Sequence, residues 1–139
     1  MKVLFDTSVL FKRYNEEPGS AQVHAISERA GELIVAAHCK VEIASAINRQ
    51  RHDGMVSPER YAGIMADVHD DFAAFTLLPL DSRVEALAIA AMERSRLRAM
   101  DALHIATAQA ARVDLFVTAD RRQAEAAQVA GLKTEMVEA

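Results

Sequence analysis

Apolar residues in this chain fall into two alternating rhythms. MKVLF (1–5), LIVAA (33–37), FTLLP (75–79) and DLFVT (114–118) are short apolar runs of strand length, and residues 132–137 read as a short last strand. Between them the apolar positions recur at helical spacing. The pattern predicts helices over 19–30, about 38–52, from Pro58 through Phe72, from Asp81 or Ser82 to about Ser95, over 99–112, and over 120–130, ending at Gly131. Ser57-Pro58 is a helix start, with a capping hydroxyl and proline at the first helical position. Tyr61, Ile64, Met65, Val68 and Phe72 give that helix an apolar stripe, more in keeping with core than interface. In the helix after LIVAA, Val41, Ala44, Ala46 and Ile47 do not share one face, so broad burial is expected. A polar break, Asn15 through Gly19, separates the first strand from the first predicted helix.

Strands alternating with helices imply an α/β fold, with a mainly parallel sheet of about five strands covered by helices on both faces. At 139 residues, one domain spanning 1–139 is expected. The longest apolar run, Ala86–Met92, is far short of a membrane span, and Asp6 falls too early for the core of a signal peptide. A single cysteine, Cys39, excludes an internal disulfide, and a cytoplasmic location with no membrane partner is expected. Cys39 itself, lacking CxxC spacing, is read as a buried small residue rather than a zinc ligand.

In parallel sheets, ligands bind beyond the carboxyl ends of the strands, where the strand order reverses. Asp6 and Asp120 each follow a strand within two residues, while Glu42 and Asp101 lie within predicted helices. Together they suggest an acidic pocket able to hold a hard divalent cation. Each also has a plainer reading. Asp6 and Asp120 suit helix capping, Asp101 suits the first turn of a helix, and Glu42 suits a solvated face or an ion pair. The net charge of −4 disfavours a broad basic nucleic-acid face. Setting aside these four acids leaves 16 acidic residues against 16 Lys and Arg, so the excess equals the candidate site.

FDTSVL (5–10), KVEIASAINR (40–49), RAMDALHIATA (98–108), FVTADRR (116–122) and AGLKTEMV (130–137) carry a resemblance that runs nearly end to end. In order and spacing they resemble the PIN-domain ribonucleases, and more narrowly the VapC-type toxins of bacterial type II toxin–antitoxin systems. The resemblance implies a PIN-like three-layer α/β/α domain with the first and fourth strands adjacent. It implies an endoribonuclease dependent on Mg2+ or Mn2+, with Asp6, Glu42, Asp101 and Asp120 as metal and catalytic acids. Thr118 matches a supporting hydroxyl, and Ser8 is expected to act likewise. The implied chemistry is in-line attack by water, leaving a 3′-hydroxyl and a 5′-phosphate. An RNA substrate, a cognate VapB-like antitoxin covering the site and a homodimer are the implied partners.

Around these acids, Arg49 and Arg121 are candidate RNA contacts, and Lys12, Arg13, Arg96, Arg98, Arg121 and Arg122 are candidates for a basic rim. His104, three residues after Asp101, is read as a packing histidine rather than a ligand. His38 and Cys39 are unusual at the turn into the Glu42 helix. Asp67, His69, Asp70 and Asp71 are read as a solvated helix face. An aspartyl-phosphate mechanism fits poorly, because the dehalogenase pattern needs a second Asp at position 8, which is Ser. The remaining alternative is a catalytically silent PIN-like module that binds RNA or protein.

Overall fold

The computed structural model describes residues 1–139 and contains all five predicted strands. They are β1 (Lys2–Phe5), β2 (Glu32–Ala36), β3 (Thr76–Leu78), β4 (Leu115–Thr118) and β5 (Thr134–Met136). The sheet order is β3-β2-β1-β4-β5, and every pairing is parallel. The order therefore reverses between β1 and β4, where Phe5 stands opposite Val117. Seven helices cover the sheet: α1 (Thr7–Leu10), α2 (Ser20–Arg29), α3 (Cys39–His52), α4 (Pro58–Ala74), α5 (Ser82–Arg94), α6 (Ala99–Ala111) and α7 (Arg121–Val129). None is long and apolar enough to cross a membrane.

The alternation of side chains along a strand divides the core in two. Val3, Phe5, Val35, Leu115 and Val117 face α1 to α4, packing with Val9, Val23, Ile43, Val68 and Phe72. Leu4, Ile34 and Phe116 point the other way, toward α5, α6 and α7. That second layer is rich in alanine (Ala88, Ala91, Ala102, Ala106, Ala126, Ala127), whose small side chains let helices approach closely. Each large side chain so buried contributes about 1.5–3 kcal/mol relative to exposure. Three layers result, α/β/α, as the strand–helix alternation predicts.

The predicted caps form. Ser57 Oγ accepts from Arg60 N at 3.1 Å, and Asp81 Oδ1 accepts from Val84 N at 2.9 Å. Two local readings need correction. The stretch after β1 is helical, as α1 and a 3-10 turn over Phe11–Arg13, where the sequence suggests only a break further on. A four-residue helix is too short to display a period, and tertiary contact stabilises it instead. Helix α3 is also less buried than expected: Cys39, Ile43 and Ile47 form one inward stripe, while Val41 is 72% exposed. Spacing of four keeps those three on one face, and the alanines tolerate the boundary.

The charged residues of the first helical segment are also fixed in place. Lys12 is buried, its Nζ 2.9 Å from Glu17 Oε1 and donating to the Pro18 carbonyl at 2.7 Å. Gly19, at φ 93°, lies so close to the chain's end that a Cβ would stand 2.5 Å from the Glu138 carbonyl oxygen. Arg13 pairs with Asp71 at 2.9 Å, and Tyr14 Oη donates to the same carboxylate at 2.7 Å. Asp71 is thus structural rather than part of a solvated face, whereas Asp67, His69 and Asp70 are exposed as expected. Lys12 and Arg13, both committed elsewhere, do not join a basic rim.

Candidate active site

The carboxyl ends of β1 and β4 place Asp6 beside Thr118. Asp6 is buried where β1 passes into α1, and its Oδ1 accepts from Val9 N at 3.2 Å, which makes it the cap of α1. Ser8 Oγ donates to Oδ1 at 2.6 Å, and Thr118 Oγ1 donates to Oδ2. Burial pushes the Asp6 carboxyl above its ordinary range, opposed by the charge of His104 and by the hydrogen bonds from Ser8, Thr118 and Val9. Thr118 Oγ1 also accepts from Asp120 N at 3.0 Å, and Ser8 Oγ accepts from Ala119 N at 3.1 Å. Both hydroxyls singled out in the sequence therefore tie the end of β1 to the turn after β4.

Asp120 caps α7, with Oδ1 accepting from Arg122 N at 2.8 Å and Gln123 N at 3.4 Å. Asp101 occupies the first turn of α6, and Gln123 Nε2 donates to its backbone carbonyl at 3.1 Å. One cleft of about 730 Å³ is lined by both acids together with Arg96, Leu97, Arg98, Arg121, Arg122 and Glu125. Four of the six proposed rim cations thus gather beside two of the proposed acids. Arg98 Nε lies 3.4 Å from Asp101 Oδ2, but its side chain is 87% exposed, so the contact is weak. Arg49 is exposed on α3 and is not among the residues lining this cleft.

Glu42, in the first turn of α3, has company the sequence did not predict. Its Oε1 accepts from Thr7 Oγ1 and lies 2.9 Å from His104 Nε2 and 3.3 Å from His38 Nε2. Burial alone would raise this carboxyl, but hydrogen bonds from His104 and Thr7, with the charges of His104 and His38, bring it down to about 2. His104 is as buried as a packing histidine should be, at 2% exposure, and also meets Thr7 Oγ1 at 3.2 Å. Its link to Glu42 crosses 62 residues of sequence. The available signal was a lone imidazole between buried alanines on a helix, a polar group that needs a partner. Cys39 is fully buried, and burial holds its thiol up at about 12, so it behaves as an inert small side chain.

The four predicted acids are not drawn into one tight cluster. The single trio of His, Cys, Asp or Glu ligand atoms within 4.8 Å of one another is His38, Glu42 and His104. The chemistry of the four acids still fits a hard cation. Glu42 Oε2, Asp101 Oδ1 and Asp120 Oδ2 receive no hydrogen bond from the protein, so oxygen donors remain free on three of the four.

A family model described as PIN domain matches residues 3–129. The chain belongs to the PIN-domain family. Its fold is shared with several solved PIN-like structures of low sequence identity. FitAcB from Neisseria gonorrhoeae superposes with a TM-score of 0.75 at 17% identity, over 95% of each chain. A toxin–antitoxin complex from Klebsiella pneumoniae gives 0.61 at 17%, over 85% of this chain and 86% of the other. The sarcin-ricin loop cleaving toxin VapC20 from Mycobacterium tuberculosis gives 0.63 at 13%, over 82% and 86%. No curated protein sequence matches this PIN domain significantly.

Proposed function

We propose that this PIN domain is a metal-dependent endoribonuclease, and that it acts as a toxin restrained by a cognate antitoxin. The observation that carries the reading is the cleft where Asp101 and Asp120 meet four arginines, beside the β1–β4 switch point that holds Asp6. Acids with free oxygens suit a cation, and exposed guanidinium groups suit a phosphate backbone. Asp6, Glu42, Asp101 and Asp120 would hold Mg2+ or Mn2+. Such an ion supplies activation of water and neutralisation of charge on the scissile phosphate.

The chain's own residues account for the remaining requirements. Ser8, Val9 N and Thr118 keep Asp6 in one rotamer, so a buried carboxylate is already oriented before substrate arrives. Arg96, Arg98, Arg121 and Arg122 are placed to bind phosphates flanking the scissile bond and to hold the strand for in-line attack. No serine or histidine nucleophile is required. Thr118 and Ser8 act by holding Asp6 and the turn after β4 in place. The antitoxin is proposed from the VapC-like motifs, with support from the likeness to a toxin–antitoxin complex, and a homodimeric state from the motifs alone.

The test is cleavage of a mixed cellular RNA pool by purified protein in Mg2+, Mn2+ or EDTA, beside Asp6→Asn and Asp101→Asn. Metal-dependent cutting that both substitutions abolish is the expected result. Folded protein that binds RNA but cuts nothing in any condition would establish the silent-module alternative. For the toxin reading, expression should arrest growth, and the product of an adjacent gene should relieve the arrest.

A further inference from the structure

Glu42 is gripped by one oxygen only. Thr7, His104 and His38 all converge on Oε1, and no protein donor reaches Oε2. The three come from different places: the first residue of α1, the middle of α6 and the residue preceding α3. The two imidazole rings lie 4.4 Å apart at an angle of 43°, close enough to restrict each other.

Proton placement decides what this trio does. His104 Nδ1 is buried without any partner. A hydrogen placed there would be stranded, so the proton belongs on Nε2, where Glu42 Oε1 and Thr7 Oγ1 accept it. His38 Nε2 lies 3.0 Å from the Met100 carbonyl oxygen, a group that only accepts, so this nitrogen carries a hydrogen too. His104 therefore presents an N–H, not a lone pair, to Glu42, while the His38 hydrogen is committed to Met100 and its ring packs alongside, 3.3 Å from Oε1. A metal-ligating imidazole ordinarily donates its other N–H to a carboxylate, carbonyl or water, and His104 has no such acceptor. Thr7 and His104 thus form a hydrogen-bonded clamp on Oε1, with His38 packed beside it, rather than a nitrogen-rich metal site.

We propose that His104 is a positioning residue whose Nε2–H, with Thr7 and His38 beside it, fixes Glu42 Oε1 and so reserves Oε2 for the divalent cation. The inference rests on the nuclease reading above, because only a cation gives the free oxygen a use. Thr7 completes the clamp by donating to Oε1 while sharing the His104 hydrogen with that oxygen.

Mn2+ binding to the full chain, followed by EPR of the free ion, tests this for wild type, His104→Leu, His104→Gln, Glu42→Gln and the His104→Leu/Glu42→Gln double variant. Loss of an outer residue that orients a ligand typically weakens metal binding about 10- to 100-fold, and that is the loss expected for His104→Leu. His104→Gln, whose amide N–H replaces Nε2–H, should bind within a few-fold of wild type. In the Glu42→Gln background, His104→Leu should add little, because the group it positions is gone. If His104→Leu does not fold, Thr7→Val removes a donor from the same oxygen and should weaken Mn2+ about tenfold or more.

Four results would overturn the proposal: unweakened binding by His104→Leu (or by Thr7→Val where that variant replaces it), no rescue by glutamine, a full additional loss in the double variant, or imidazole nitrogen coupling in pulsed EPR of bound Mn2+. Folded wild type that binds no Mn2+ fails the metal-site reading itself, and the clamp falls with it. Binding by wild type that is indifferent to His104 fails the clamp alone.

Discussion

Thr118→Val removes a single oxygen atom from the junction of β1 and β4. Thr118 is fully buried, donates to the Asp6 carboxylate and accepts from Asp120 N at 3.0 Å. A hydrogen bond to a charged group contributes about 1.5–3 kcal/mol. The stranded Asp120 N–H adds about 1 kcal/mol, the low end of such penalties, because Asp120 is only half-buried. A methyl in place of the hydroxyl returns about 0.8 kcal/mol of apolar burial. The net loss is about 2–3 kcal/mol. In urea titrations followed by circular dichroism at pH 7 with EDTA, this lowers the midpoint by roughly 1–1.5 M with the slope unchanged. Thr118→Ser keeps the hydroxyl and should lose about 1 kcal/mol, the effect of one methyl. Because burial already raises Asp6, the valine variant's deficit should narrow in acid as that carboxyl takes up a proton and the folded state gains relative to the unfolded. A valine variant within 0.5 kcal/mol of wild type, or one no worse than serine, would refute the assigned role of the hydroxyl.

Glu42 gives a pH signature in the metal-free protein. Its folded carboxyl lies near 2 against an ordinary 4.5, so between those values the unfolded chain holds more protons and stability rises with pH. The contribution is complete above about 4.5 and gone below about 2, and Glu42→Gln should flatten that limb in acid titrations of the unfolding midpoint. The Lys12–Glu17 pair should respond asymmetrically. Lys12→Met leaves a partly exposed carboxylate and costs about 1 kcal/mol or less, whereas Glu17→Leu strands a buried ammonium and costs about 2–3 kcal/mol; equal losses in urea would contradict the burial difference of 3% against 27%. In the cleft, Arg98→Ala, Arg121→Ala and Arg122→Ala should each reduce the salt dependence of single-stranded RNA binding in EDTA by about 0.7 in log–log slope, measured by anisotropy. An unchanged slope would remove that arginine from the backbone contacts.

The fold was legible because four of the five strands are short apolar runs and helices such as α4 and α5 carry a cap, a period or both. Strand order was not legible from the pattern, since nothing local to MKVLF says that its partner lies at 115–118; the family resemblance supplied that adjacency. Asp6 and Asp120 were readable both as caps and as site acids, and the capping reading is the one the structure shows: each spends an oxygen on a helix amide. Glu42 stood out as an acid among alanines, but its imidazole neighbours depend on the crossing of α3 and α6. Lys12 and Asp71 were misread as surface charge for the same reason. Their partners lie where the chain turns back on itself, and charge spacing carries no signal of that.

Order of synthesis gives the position of β1 a further meaning. It is made first yet sits in the middle of the sheet, and its register with β4 pairs Val3 with Leu115. A ribosome extending the chain at about 5–20 residues per second must run for several seconds before that neighbour exists. Until then Asp6 has no Thr118 to orient it, and the cleft lacks Asp120, Arg121 and Arg122. A nascent or prematurely ended chain therefore carries scattered acids but no assembled centre. The chemistry proposed for this cleft thus requires translation of the domain to be nearly finished.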